Sequence, residues 1–181
     1  MPVESIISRE SVAARAQIDW LTLTPTAPPS ELMRRYQRLQ HAPLGRWRFA
    51  RLAHARMPLL RVLGVRFEEL RVGLCRTAMD TQRRVRSHQG SIDPVSIGAL
   101  AQLSANMVIE ISAPHSVVCS VRGMTIEQLR PARSTVTALA RLDKTDWAKS
   151  AALGVPVTIS DAAGAEIARA VVSFALAARS D

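Results

Sequence analysis

The chain has 181 residues, nearly half of them hydrophobic, and its 24 basic residues outnumber the 15 acidic ones to give a net charge of +9. A chain of this length can bury a core without disulfides, and its two cysteines, Cys75 and Cys119, have no metal-ligand spacing. Charged residues interrupt the first twenty positions and no run of about 20 apolar residues occurs, so we expect neither a secretory signal nor a transmembrane segment, and we predict a cytoplasmic protein.

The excess of arginine indicates either an anionic partner or an ordinary solvated surface. Only seven aromatic residues are present, and arginine and aromatic side chains interleave only in Arg46-Trp47-Arg48-Phe49. A nucleic-acid surface needs more stacking groups than this, so we predict no nucleic-acid partner. The short segment is better interpreted as an amphipathic helix that caps a groove or touches membrane lipid.

The first third of the sequence predicts helices. Apolar residues recur on one face over residues 8–21, and the prolines of TPTAPPS then end that helix. Ser30 is a suitable N-cap for a second helix over residues 31–40, and a third is predicted over residues 46–57. We therefore divide the chain into an N-terminal helical extension, residues 1–30, and a main domain, residues 31–181.

The remaining sequence predicts one long buried helix among strands. Residues 63–80 have the imperfect alternation of extended structure, and a polar turn then leads into a helix that is apolar on every face up to Ile111. Further strands are predicted over residues 117–129, 135–142, 155–160 and 166–178, with the last two forming a hairpin. This order predicts an α+β fold in which an antiparallel sheet wraps around one central helix.

Three short motifs resemble a known family. They are Arg86-Ser87-His88-Gln89-Gly90-Ser91-Ile92-Asp93, then Leu100-Ala101-Gln102, and then Arg122-Gly123-Met124-Thr125-Ile126-Glu127. In order and spacing they resemble the DUF4442 branch of the hotdog-fold thioesterase superfamily over roughly residues 35–176. The resemblance implies a hotdog fold and a homodimer, or a tetramer, with an acyl thioester bound at the subunit interface near the N-terminus of the central helix. Free N–H groups at a helix N-terminus suit a developing oxyanion.

Three positions depart from the motifs of that family. Gln102 stands where many relatives have a carboxylate, Asp93 replaces the usual histidine, and Ser87 replaces the usual asparagine. An amide cannot accept a proton at neutral pH, whereas Asp93 returns a carboxylate to the site as a general base or nucleophile. We therefore predict that Asp93, Gln102, Ser87 and His88 are catalytic. The structural alternatives are an N-cap role for Asp93 before Pro94, a surface role for His88 and a dimer-interface role for Gln102.

The substrate-binding residues are also predicted from the resemblance. Gly90 and Val95 flank the start of the helix, while Arg122, Arg130 and Arg133 lie on or after the strand that is expected near the phosphates of coenzyme A or phosphopantetheine. The guanidinium fork fits a phosphate group, although solvated strand ends explain the arginines equally well. We predict no metal and no permanently bound cofactor, because coenzyme A or phosphopantetheine enters as part of the substrate.

Three functions remain open. The first is hydrolysis of an acyl-CoA or an acyl-carrier-protein thioester, with Asp93 as base and Gln102 assisting. The second is an acyl-thioester-binding protein without catalysis, in which Gln102 marks the loss of the helix carboxylate. The third is dehydration or isomerisation of an acyl thioester by the same fold. We favour the first.

Overall fold

A computed structural model of the protein describes residues 31–39, 45–143, 145, 147 and 150–179. The helix predicted over residues 8–21, and with it the N-terminal extension, lies outside the described residues. The division of the chain at residue 30 therefore stays a prediction.

Three helices come before the sheet, namely α1 (Glu31–Leu39), α2 (Gly45–Arg56) and α3 (Pro58–Leu63). The first two confirm the sequence prediction. Helix α3 was not predicted from the sequence, because six residues are too few to show a helical period. Its signals were present all the same: Pro58 occupies the first helical turn, and Gly64 ends the helix with a left-handed φ of 67°.

Aromatic contacts attach these helices to the rest of the domain. The ring of Phe49 in α2 packs edge-to-face on Tyr36 of α1 at 4.9 Å and on Phe67 at 5.6 Å. A hydrogen bond of 3.3 Å between His54 Nε2 and the carbonyl oxygen of Val65 adds a polar contact. Since Phe49 is only 1% exposed, the helices share the hydrophobic core of the domain.

The extended stretch predicted over residues 63–80 is a hairpin of β1 (Arg66–Arg71) and β2 (Leu74–Met79). Its turn contains Gly73, which has a φ of 79°, a conformation that glycine adopts without strain. The guanidinium of Arg66 binds the carboxylate of Asp80, which follows β2. The sequence alternation predicted one extended stretch, whereas the structure has two antiparallel strands joined by a turn.

The central helix, α4 (Pro94–Ser112), lies in the core as predicted. Eleven of its nineteen residues are buried, and they fall on most of its circumference. Small residues let the sheet approach: a Cβ added at Gly98 would lie 3.3 Å from Met124 Cε. Among the described residues α4 is the one helix long and apolar enough to cross a membrane, and its burial inside the domain accounts for that hydropathy.

Four further strands complete the sheet, which are β3 (Val117–Gln128), β4 (Val136–Arg141), β5 (Ala152–Asp161) and β6 (Glu166–Ala178). The spatial order is β1-β2-β4-β5-β6-β3, and all pairs are antiparallel. This arrangement confirms the α+β prediction of an antiparallel sheet wrapped around one helix.

Strand β3 forms one edge of the sheet. It pairs with β6 along its length, with a bulge between Val121 and Gly123, and no described strand covers its other side. Val118, Val121 and Ile126 are 37–40% exposed along this edge. A long apolar edge of this kind is a template for pairing with another chain.

Candidate active site

The turn before α4 is closed by its own backbone. Ser87 N–H donates to the carbonyl oxygen of Ser91 at 2.8 Å, and Gly90 N–H donates to that of Ser87 at 3.1 Å. Gly90 has a φ of 77°, which favours glycine at this position. The Ser87 hydroxyl lies 3.2 Å from both the carbonyl and the hydroxyl oxygen of Ser91. Ser87 therefore shapes the turn, whereas His88 is exposed at its tip.

Two backbone hydrogen bonds fix the start of α4 between neighbouring segments. Ile92 N–H donates to the carbonyl oxygen of Ala132 at 2.7 Å, and Asp93 N–H donates to that of Val85 at 2.8 Å. Ala132 lies between Arg130 and Arg133 in the connection from β3 to β4. The structure thus brings this basic connection beside the helix start.

Asp93 is the N-cap of α4. Its Oδ1 accepts a hydrogen bond of 2.8 Å from Val95 N–H, and its backbone carbonyl accepts one of 3.1 Å from Ile97 N–H. The other carboxylate oxygen has no hydrogen-bond partner among the described residues, and the side chain is partly exposed. The structural role is therefore real, and one oxygen remains available for a water molecule.

The first turn of α4 offers one free donor. Pro94 has no N–H, and the N–H of Val95 is taken by Asp93. Among the described residues nothing accepts a hydrogen bond from Ser96 N–H, so the partial positive charge of the helix N-terminus is concentrated there. A carbonyl oxygen that gains negative charge would be stabilised by such a donor.

Gln102 lies apart from this cluster. Nine residues separate it from Asp93, which is about 13 Å along the helix axis, so the two side chains do not meet within one chain. Gln102 belongs instead to a stripe along α4 that the sheet leaves partly open, formed by Val95, Ala99, Gln102, Asn106 and Glu110. Val95 is 79% exposed, so the apolar end of this stripe meets solvent beside the helix start.

Asn106 is the polar residue that the sequence analysis missed. It lies one turn beyond Gln102 on the same stripe, and its Oδ1 is buried with no hydrogen-bond partner in the described chain. Buried polar groups without a hydrogen-bond partner are rare in folded proteins, so a donor from outside the described chain is expected here. The signal in the sequence was a second amide four positions after the first on an otherwise apolar helix.

The predicted arginines divide into two places. The backbone N–H of Arg130 donates to the carbonyl oxygen of Ile167. The pKa of the Glu166 carboxyl is lowered mainly by its hydrogen bond with the guanidinium of Arg169, and the charge of Arg130 adds to this effect. Arg133 is exposed on the same connection. Arg122 lies at the bulge of β3, and about 25 Å of extended chain separates it from Arg130. One chain therefore does not bring all three arginines together.

The described residues include two cysteines and several scattered histidine and carboxylate side chains. No group of three or more histidine, cysteine, aspartate or glutamate side chains could hold a metal ion there. Burial raises the pKa of both Cys75 and Cys119, with Glu110 adding to the effect at Cys119, so neither thiol is activated as a nucleophile.

Comparison with protein families identifies the chain. The model of a domain of unknown function, DUF4442, matches residues 45–176, well over half of the sequence. The chain belongs to the DUF4442 family. The resemblance inferred from the three motifs is thereby confirmed, with a family boundary about ten residues later than expected.

Several solved structures are similar to this chain over most of their length. A structural-genomics protein is 24% identical, with a TM-score of 0.71, and the match covers 82% of this chain and 99% of the other. A Pseudomonas aeruginosa protein described as a probable thioesterase is 21% identical, with a TM-score of 0.65 and coverage of 72% and 93%. A thioesterase from Haemophilus influenzae is 15% identical, with a TM-score of 0.63 and coverage of 70% and 88%.

These likenesses show that the DUF4442 chain has the hotdog fold. Among proteins with curated descriptions, none matches the sequence.

Proposed function

We propose that this DUF4442 protein hydrolyses acyl thioesters of coenzyme A or of an acyl-carrier protein, and that it does so as a homodimer. The observation that carries the proposal is the carboxylate of Asp93 at the start of the buried helix, one oxygen of which has no hydrogen-bond partner among the described residues. Three residues later, the N–H of Ser96 also has no acceptor among them. The hotdog-fold neighbours that are named thioesterases support the same reaction class.

In this proposal Asp93 is the general base. Its free oxygen takes a proton from a water molecule as the water oxygen attacks the thioester carbonyl carbon. The negative charge that forms on the carbonyl oxygen is stabilised by Ser96 N–H and the helix N-terminus. The carbon–sulfur bond then breaks, the carboxylic acid forms, and the proton held by Asp93 passes to the departing thiolate.

Two features that have no partner among the described residues support the proposed homodimer. The free edge of β3 can pair with the same strand of a second copy and so continue the sheet. The buried Oδ1 of Asn106 would gain a donor if a second α4 packed against the open stripe. Both features support one interface, because Gly98 of α4 and Met124 of β3 are adjacent.

The same surface supplies walls for the substrate. Val95, Val121 and Ile126 are exposed apolar side chains along the open side of α4 and β3, and they suit an acyl chain. Gln102 shares the partly open stripe of α4 with Val95, and its amide can hydrogen-bond the pantetheine arm of the substrate. Arg130 and Arg133 suit the phosphates, and Arg122 joins them only if the second copy supplies it.

A binding protein without catalysis is the second candidate. It is favoured by the N-cap bond of Asp93, which engages one carboxylate oxygen in a purely structural role. Under this alternative the wild-type protein binds acyl thioesters without turnover, and Gln102→Glu restores activity because it returns a base to the helix.

The proposed activity is tested by free-thiol release from acyl-CoAs of short, medium and long chain length, and from the same acyl groups on a carrier protein. The proposal expects turnover by the wild-type protein on one of these carriers. Thioester binding without thiol release in every case, with activity gained by Gln102→Glu, would support the binding protein instead.

A further inference from the structure

The positive charge of the chain is concentrated before the sheet. Residues 32–67 hold nine of the 24 basic residues and none of the 15 acidic ones. The rest of the chain therefore has 15 of each, so this stretch alone accounts for the net charge of +9. Among the described residues, Arg56 binds Glu110 and Arg66 binds Asp80, and both carboxylates lie outside this stretch. The stretch contains α2, α3 and all of α1 except its first residue, Glu31, and we call these three helices the helical layer.

The outer side of α3 is apolar as well as basic. Leu60 and Leu63 point into the core and are 0% and 6% exposed. Leu59 and Val62, one turn apart on the same side of the helix, are 47% and 55% exposed. Arg61 is exposed between them. A six-residue helix thus presents two aliphatic side chains and a guanidinium to its surroundings.

A basic pocket adjoins this surface. Arg51, His54 and Ala55 of α2 and Arg61 of α3 line a shallow space of about 470 Å³. His54 is held by its contact with the carbonyl oxygen of Val65. The volume of the pocket and the exposed guanidinium of Arg61 suit a phosphate group.

The same combination recurs between α1 and α2. A second shallow space, of about 380 Å³, is lined by Arg38, Leu39, Arg48 and Leu52. Arginine and leucine again share one wall. The mixture of cationic and aliphatic side chains is therefore a property of the helical layer and not of α3 alone.

We propose that the outer surface of α2 and α3 binds an anionic phospholipid membrane. Arg61 binds a headgroup phosphate, and Leu59 and Val62 enter the interface beneath the headgroups. A lipid surface matches both features, because it presents a layer of negative charge directly above hydrocarbon. A free phosphate or a nucleic acid would match the arginines and leave the two aliphatic side chains in water. The proposal does not depend on the hydrolase activity.

The test is sedimentation of the full-length protein with vesicles of phosphatidylcholine alone and with vesicles that also contain phosphatidylglycerol. Binding is expected only with the anionic vesicles, and it weakens as salt screens the charges. Arg61→Gln lowers the partition coefficient about fivefold. The double variant Leu59→Asn with Val62→Asn lowers it by at least about as much, because it removes the apolar contact with the interface.

The matched control combines Arg141→Gln and Arg179→Gln, which removes two exposed charges outside the helical layer and should leave the partition coefficient close to wild type. Circular dichroism confirms that each variant is folded. The proposal is overturned if anionic vesicles fail to capture the wild-type protein, if the control loses as much binding, or if the Leu59 and Val62 variant binds like wild type.

Two other occupants have distinct outcomes, and each would also overturn the proposal. A fall in molar mass in the Leu59 and Val62 variant would show that the surface joins copies of this chain. Arginine-dependent binding to an acidic carrier protein, without vesicle binding, would make it a protein docking surface.

Discussion

The carboxylate of Asp93 accepts a hydrogen bond of 2.8 Å from the backbone N–H of Val95. The side chain proposed as the general base therefore also caps the central helix. The two roles use different oxygens, which means that substitutions can separate them.

Asparagine caps a helix about as well as aspartate does, whereas alanine does not. We expect Asp93→Ala to lower the free energy of unfolding by about 1 kcal/mol and Asp93→Asn to stay within about 0.5 kcal/mol of wild type. Urea denaturation measures both. An equal loss in the two variants would mean that the negative charge at the helix N-terminus, and not the hydrogen bond, is what stabilises α4.

The substitution Asn106→Ala should weaken a dimer but stabilise a monomer, so its effect distinguishes the two states. If its buried Oδ1 gains a hydrogen bond from a second copy, Asn106→Ala weakens the dimer by about 1 kcal/mol, which is about fivefold in the dissociation constant. Light scattering over a dilution series measures this change. A variant that is more stable than wild type, with an unchanged oligomeric state, would show that the amide is unpaired in the native protein.

A buried hydroxyl pair joins α4 to the sheet. Thr77 Oγ1 and Ser104 Oγ are 2.7 Å apart, and the Ser104 hydroxyl donates to the carbonyl oxygen of Leu100 at 2.8 Å. Ser104→Ala leaves the fully buried Thr77 hydroxyl without that partner, at a cost of about 1–3 kcal/mol.

Removing both hydroxyls avoids this cost, so Thr77→Val combined with Ser104→Ala should be more stable than Ser104→Ala alone. Chemical denaturation of the single and double variants gives the coupling energy, and Thr158→Val on the exposed face of β5 is the control. If the losses in the free energy of unfolding at the two positions were additive, the two hydroxyls would not be coupled.

Asp80 makes stability depend on acid pH. Its hydrogen bonds with Arg66 and Thr135 lower the pKa of its carboxyl below the ordinary value. The folded state therefore holds the charged form more strongly, and the stabilisation is complete above about pH 4 and lost as the pH falls through the lowered pKa. Because the side chain is 40% exposed, solvent limits the effect to about 1 kcal/mol or less.

We expect Asp80→Asn to be less stable than wild type at pH 7 and to approach wild-type stability as the pH falls below 3. Thermal unfolding across this pH range measures the difference, which should also shrink in high salt because the pair is exposed. A difference that is constant with pH would exclude the carboxylate charge as its source.

The sequence predicted the elements whose patterns are long. The helix beginning at Pro94 is apolar on every face and 19 residues long, so its place in the core followed from periodicity. The hairpin around Gly164 was equally clear, because two alternating runs flank a glycine turn. Short elements such as α3 lack the length to show a period and depend on their caps alone.

The candidate site was harder to predict, because its geometry is non-local. Ser87, Gly90 and Asp93 lie in and beside one turn because they are neighbours in the chain. The resemblance grouped Gln102 with Asp93, although nine residues of helix separate them by about 13 Å along its axis. It also grouped Arg122 with Arg130, although about 25 Å of extended chain lies between them. The importance of Asn106 appears only when burial is known, because an amide on a helix is unremarkable until its partners can be counted.

The central claim is that the Asp93 carboxylate drives thioester hydrolysis, and one comparison tests it most directly. Thiol release by wild-type protein and by Asp93→Asn is followed on the best substrate of the acyl-thioester panel. Because asparagine keeps the helix cap and loses the base, the account predicts turnover by wild type and a loss of at least about a hundredfold in the folded variant. Wild-type rates in Asp93→Asn, or no release from any thioester by the wild-type protein, would contradict it.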